Sequence, residues 1–118
     1  MSTFALAASP SGVLAAWETD GQVQWLRIDP ISGRRSPIVS PPGSMKNKKH
    51  PVIAGNARGE TILAWTENTG WNKGGSLAWQ VFDRDGKPIG EPGRSAGVPT
   101  WSLVAAATRP GGEFLIVY

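Results

Sequence analysis

Short apolar stretches separated by turn residues recur along this chain, and one of them occurs three times. Each copy begins at a glycine, continues through aliphatic residues and closes on an aromatic residue, at 12–17, 59–65 and 112–118. The closing residues Trp17, Trp65 and Tyr118 are 48 and 53 residues apart. A period of this length indicates that the chain repeats one supersecondary unit.

A second stretch follows each of the first two copies. Residues 23–29 match residues 76–83, with a tryptophan four residues before an aspartate in both. Val23, Trp25 and the stem of Arg27 alternate with residues of the other face, as side chains do along a β-strand. A turn rich in glycine comes next, and another apolar stretch precedes each glycine-led one. Each unit therefore reads as four short strands.

Four-stranded antiparallel units at this period are typical of the blades of a β-propeller. The sequence predicts a single all-β domain over 1–118, with one blade at about 2–44, a second at about 50–93 and half a blade at 100–118. The propeller is expected to be partial, or to be completed by oligomerisation, because the last apolar strand would leave an open edge.

Composition narrows the classes further. With 15 Gly and 10 Pro among 118 residues, and 40% hydrophobic residues, neither a helical bundle nor a disordered chain is expected. The absence of cysteine excludes disulfides and thiolate metal sites. The net charge of +3 is spread along the chain, so it predicts no nucleic-acid binding. No apolar stretch reaches the ~20 residues of a membrane span, and no signal peptide is recognisable at the N-terminus.

One combination of motifs is specific enough to suggest a family. An apolar strand ending in Ala-Trp is followed by a strand that ends in Phe-Asp-x-Asp-Gly-x-Pro-Ile-Gly, at residues 82–90. This pattern resembles the degenerate repeats of bacterial surface and secreted β-propeller proteins, including sialidase-like ones. The resemblance implies propeller blades and an extracellular or cell-surface location. The Asp-box of the sialidase-like proteins has only partial echoes here, because Asp83–Gly86 lacks the closing Thr-Trp.

Catalytic chemistry is not expected from these residues. His50 is the one histidine and Tyr118 the one tyrosine, so neither a triad nor a sialidase-type nucleophile is supported. Asp83 and Asp85 resemble the start of a calcium loop without its remaining ligands, and are interpreted as a hairpin turn. We therefore expect no enzyme activity, no metal and no cofactor, since a glycosidase would need groups from further blades. The basic run at 46–49 is interpreted as a solvated connection rather than a phosphate site.

The tryptophans provide the candidate binding residues. Four of them occupy repeated strand positions and are expected to pack between blades: Trp17, Trp25, Trp65 and Trp79. Trp71 and Trp101 break the pattern. Trp71 lies in a polar insertion in which Glu67, Asn68 and Asn72 could bond the hydroxyls of a sugar stacked on its ring. The alternatives are that Trp71 folds back over a blade edge and that Trp101 caps a blade interface.

Two functions from different classes remain open. The chain is either a non-catalytic propeller scaffold or interaction module of a larger surface or secreted protein, or an oligomeric, lectin-like propeller that binds glycans through its loop tryptophans. The partners expected are the remaining blades or further copies of the chain in the first case, and a glycan in the second. The unequal strand count favours the first.

Overall fold

The computed structural model describes residues 3–118, which form nine β-strands and no helix. The strands are β1 (Phe4–Ser9), β2 (Gly12–Thr19), β3 (Gln22–Ile28), β4 (Lys48–Gly55), β5 (Thr61–Glu67), β6 (Gly75–Phe82), β7 (Pro88–Val98), β8 (Ala105–Thr108) and β9 (Phe114–Val117). They form three antiparallel sheets in the orders β1-β2-β3, β4-β5-β6-β7 and β8-β9. The prediction of an all-β chain is confirmed. The predicted start of the first unit, at residue 2, lies outside the described residues.

The repeated sequence positions fall at equivalent places in the first two sheets. Trp25 of β3 lies opposite Ala16, and Trp79 of β6 lies opposite Ala64, so both strands pair in the same register. Strand partners share a face of the sheet. Matching positions of the sequence pattern therefore have the same strand partners, and their side chains lie on the same face of each sheet.

The fourth strand expected in the first unit is reduced to two isolated bridges, Trp25 with Val39 and Ile28 with Arg35. Pro37 lies between the bridges, and a proline has no N–H to give to a strand ladder. The second sheet spans 48–98, beyond the predicted 50–93, because β4 begins at Lys48 and β7 continues to Val98.

The middle sheet is covered on both faces. One core joins it to the first sheet and consists of Leu14, Ala16, Val23, Trp25, Ile53, Leu63, Trp65, Ala78 and Phe82. The other core joins it to β8-β9 and consists of Ala64, Leu77, Val98 and Val104, with Trp79 packed against them. Trp25 and Trp65 are buried as expected of packing residues, whereas Trp17 and Trp79 are only half-buried. Stacking of three sheets therefore buries both faces of the central one.

The connections collect at the two ends of this stack. The turn end holds residues 10–11, 29–34, 56–60, 83–87 and 109–113, and the loop end holds residues 20–21, 68–74 and 99–104. Arginine side chains link backbones along the turn end. Arg27 donates to the carbonyl of Arg84 at 3.2 Å, Arg84 to that of Arg58 at 3.1 Å, and Arg58 to that of Gly111 at 3.3 Å. These arginine ties join all three sheets.

Gly93 is required by the packing of Trp79. The two residues pair across β6 and β7, and a Cβ at Gly93 would overlap the indole ring of Trp79. We expect Gly93→Ala to lower the free energy of unfolding by about 1–3 kcal/mol, as overpacking does. Gly111→Ala is the control, because nothing lies within 4 Å of its added Cβ. Urea denaturation measures both, and equal values for the two variants would contradict the overlap.

Candidate functional site

A cleft of about 570 Å³ opens at the loop end. We call it the loop-end cleft. Its ionisable and aromatic lining consists of Glu18, Lys49, His50, Trp71, Lys73 and Trp101. These residues come from β2, from the start of β4, and from the two loops 68–74 and 99–104. The cleft is therefore assembled from the first two sheets and from the connection to the third.

Trp71 and Trp101, the two tryptophans that break the repeat, meet in this cleft. Their ring centroids are 5.8 Å apart and the ring planes are at 87°, an edge-to-face arrangement. Trp71 is 84% exposed and Trp101 is 69% exposed. Neither ring is folded into a core, so a broad aromatic surface faces solvent.

The tip that carries Trp71 is a tight turn. Gly70 and Lys73 exchange two backbone hydrogen bonds, at 3.2 and 3.1 Å, which leaves Trp71 and Asn72 at the tip. Asn72 has a φ of 53°, a conformation that asparagine tolerates better than most residues. The backbone conformation thus explains Asn72, which is not among the residues that line the cleft.

Two bulky residues of the cleft have strained backbones. Trp101 has a φ of 66° and His50 a φ of 55°, in the left-handed region that large side chains rarely adopt. Trp101 lies in a turn closed by a hydrogen bond from Ser102 to Pro99. Such conformations cost about 1–3 kcal/mol each and cluster at functional sites. The backbone conformations of Trp101 and His50 therefore lower the stability of the fold.

The structure places Glu67 away from the cleft lining. Its carboxylate is buried and accepts hydrogen bonds from Trp65 Nε1 at 3.2 Å, from Arg94 at 3.1 Å and from Asn47 at 3.2 Å. Asn68 is exposed, and its Oδ1 accepts a bond from the same Asn47 amide at 3.3 Å. Of the five predicted ligand residues, Trp71 and Trp101 contact each other in the cleft. Glu67 and Asn68 instead bond Asn47, and Glu67 also bonds Arg94.

The interpretation of residues 46–49 as a solvated connection is wrong for two of its lysines. Lys48 is 2% exposed, and its Nζ donates to the Met45 carbonyl at 2.7 Å and to Gln22 at 3.1 Å. Burial lowers the pKa of Lys48, and the charge of Glu67 opposes that shift. Lys49 lines the cleft, where its Nζ donates to the Thr69 carbonyl at 3.1 Å.

Cationic groups outnumber anionic ones in the cleft lining. Lys49 and Lys73 are the cations, and Glu18 is the acid. Among residues 3–118, Glu18 Oε2 is buried and has no hydrogen-bond partner, while its charge is shared with Oε1. The formal charges of the two lysines and of Glu18 sum to +1, so the cleft lining is net positive.

Sequence reasoning did not identify Glu18, Lys49, His50 and Lys73 as cleft residues. His50 lies in β4 at a register shift between Lys49 and Val52. Pro51 is the local signal of that bulge, because a proline within a sheet is confined to edge strands and bulges. The positive φ of His50 has no such signal, and the polar insertion around Trp71 was the other readable feature.

Within residues 3–118, no three His, Asp or Glu side chains are grouped closely enough to hold a metal ion, and no helix could cross a membrane. Comparison of the chain with protein-family models, with curated proteins and with solved structures finds no match.

Proposed function

We propose that this chain is a non-catalytic, propeller-type interaction module in which further sheets of the same type cover both ends of the stack. The proposal extends the pattern seen inside the chain, where each sheet-to-sheet contact is an apolar core. The resemblance to surface and secreted propeller proteins supports a role outside the cell.

The observation that carries the proposal is the exposure of apolar side chains on the two outermost sheet faces. The first end face is the outer side of β1-β2-β3, with Phe4 76% and Leu6 65% exposed. The last end face is the outer side of β8-β9, with Leu115 49% and Val117 58% exposed. Apolar patches of this kind mark interaction surfaces.

The residues of the two end faces can be compared with residues at matching positions of the middle sheet. Leu6 pairs with Ala15 as Ile53 pairs with Leu63, yet Ile53 is 5% exposed because the middle sheet is covered. On the last end face, Val117 takes the place that Ala64 holds in β5, where exposure is 0%. The end faces are thus the uncovered counterparts of the two buried faces of the middle sheet.

In a solution of this chain alone, a second copy supplies the covering sheet. Pairing of the last end face of one copy with the first end face of the next is a head-to-tail contact, which forms a ring or an open stack. We expect light scattering coupled to size exclusion to give a mass above that of the monomer.

The variant Leu6→Glu tests this contact, because it places a charge on the first end face. It should lower the mass to that of a monomer. Ile31→Glu is the matched control, since Ile31 is 97% exposed in a turn outside both end faces, and it should leave the mass unchanged. A monomeric wild-type chain, or assembly that Leu6→Glu does not reduce, would contradict the proposal.

A second function is favoured by the loop-end cleft. We propose that the exposed, perpendicular pair Trp71 and Trp101 binds a saccharide, because a sugar ring has an apolar face that packs on an indole ring while its hydroxyls bond polar groups nearby. The backbone strain at Trp101 supports a functional role for the cleft.

A further inference from the structure

We propose that the loop-end cleft binds a pyranose that carries a carboxylate group. The inference rests on the proposed saccharide site and names its ligand class. It is drawn from three features of the cleft. These are the perpendicular rings of Trp71 and Trp101, which we call the aromatic corner, the strained backbone of Trp101, and the net charge of the lining.

The aromatic corner determines how a ring can enter. With Trp71 and Trp101 at 87° and 5.8 Å, the cleft offers one ring face beside one ring edge. A flat, rigid ligand with one apolar face fits this corner, and a pyranose has that shape. Trp71 is at the tip of its turn and is the more exposed of the two, so we assign it the stacking contact.

Strain shows that the position of Trp101 is not a by-product of packing. A glycine at 101 would adopt a φ of 66° without penalty, whereas a tryptophan there is disfavoured. The ring is also 69% exposed, so its burial offsets little of the strain in the backbone. A ligand contact gives the residue a role that folding does not.

The charge around the corner selects an acidic sugar. Lys73 is exposed beside the Trp71 tip, and Lys49 is held by Thr69 at the wall of the cleft. Glu18 is the one acid of the lining and is outnumbered by these two lysines, and the nearby Glu67 is already engaged by Arg94. A carboxylate on the sugar would accept charge-assisted hydrogen bonds from Lys73, which are stronger than those between neutral groups.

The test uses the ¹⁵N-labelled full chain and the indole N–H signals of Trp71 and Trp101, which the variants Trp71→Ala and Trp101→Gly assign. The two probes are methyl β-D-glucuronide and methyl β-D-glucoside, which differ only at C6, titrated at equal ionic strength. We expect both probes to shift these two signals, and the glucuronide to bind about tenfold more tightly or better.

The variants separate the two levels of the proposal. Lys73→Gln should remove the preference for the glucuronide over the glucoside, whereas Lys87→Gln, at an exposed lysine of the turn end, should leave both affinities unchanged. Trp71→Ala should abolish binding of both probes. Trp101→Gly should also lose binding while its thermal stability is kept or raised, which a structural role for Trp101 does not predict.

Equal affinity for the two sugars, or a preference that survives Lys73→Gln, would overturn the acidic-sugar inference and leave the saccharide site standing. If neither sugar shifts the Trp71 and Trp101 signals, the saccharide site is overturned as well.

Discussion

Replacing Trp25 with alanine is expected to lower the free energy of unfolding by about 3–5 kcal/mol. Trp25 is 1% exposed and its ring lies 5.3 Å from that of Phe82, which belongs to the middle sheet. The Arg27 guanidinium lies over the Trp25 ring, 5.8 Å from the ring centroid. Removal of the indole would leave a cavity at the junction of two sheets. Urea denaturation followed by circular dichroism measures the change.

Trp71→Ala is the matched control for this prediction. It removes the same side chain from a position that is 84% exposed, and a surface change of this kind is expected to stay within about 0.5 kcal/mol. If both variants lost the same stability, the assignment of Trp25 to the core and of Trp71 to the cleft surface would be wrong.

Glu67→Ala is the second substitution with a large expected effect, a loss of about 3–5 kcal/mol. Lys48 lies opposite Glu67 in the ladder between β4 and β5 and is 2% exposed, and the charge of Glu67 favours its protonated form, so removal of the carboxylate makes this buried cation more costly. The N–H of Trp65 would also lose its acceptor, which adds a desolvation penalty. Chemical denaturation at pH 7 gives the value.

Two further variants identify the cause of that loss. Glu67→Gln keeps an acceptor for Trp65 and removes only the charge, so it should cost less than Glu67→Ala. Arg94→Gln removes the salt-bridge partner of Glu67, but the Arg94 side chain is 61% exposed, so solvent screens the pair and we expect a loss of at most about 1 kcal/mol. An Arg94→Gln loss as large as that of Glu67→Ala would show that the salt bridge, rather than burial, controls stability here.

The recurring apolar stretches made the all-β class readable from the sequence. The spacing of Trp17, Trp65 and Tyr118 located β2, β5 and β9 in the sequence. It did so because strands that pack in the same way carry the same order of apolar residues. The loss of the fourth strand of the first sheet was harder to predict from the sequence. A proline disrupts a strand only where its missing N–H would have faced the neighbouring strand, and the sequence does not show whether Pro37 faces β3 in this way.

The cleft was readable only in part, for a different physical reason. Trp71 and Trp101 were conspicuous because they departed from the repeat, but their meeting across 30 residues is a property of the fold. Glu67 looked like a loop ligand because polar residues follow it. Its burial depends on Arg94, Asn47 and Lys48, which come from distant stretches of the chain.

The arginine ties at the turn end also bear on the conditions that the fold tolerates. Their acceptors are backbone carbonyls, which do not titrate, and arginine keeps its proton at any physiological pH. Glu60, which accepts hydrogen bonds from Asn56 at 2.7 Å and from Arg58 at 2.9 Å, has its pKa lowered by these two contacts, so its carboxylate persists further into acid than that of a free glutamate. The hydrogen bonds that join the three sheets at the turn end are thus retained over a wide pH range.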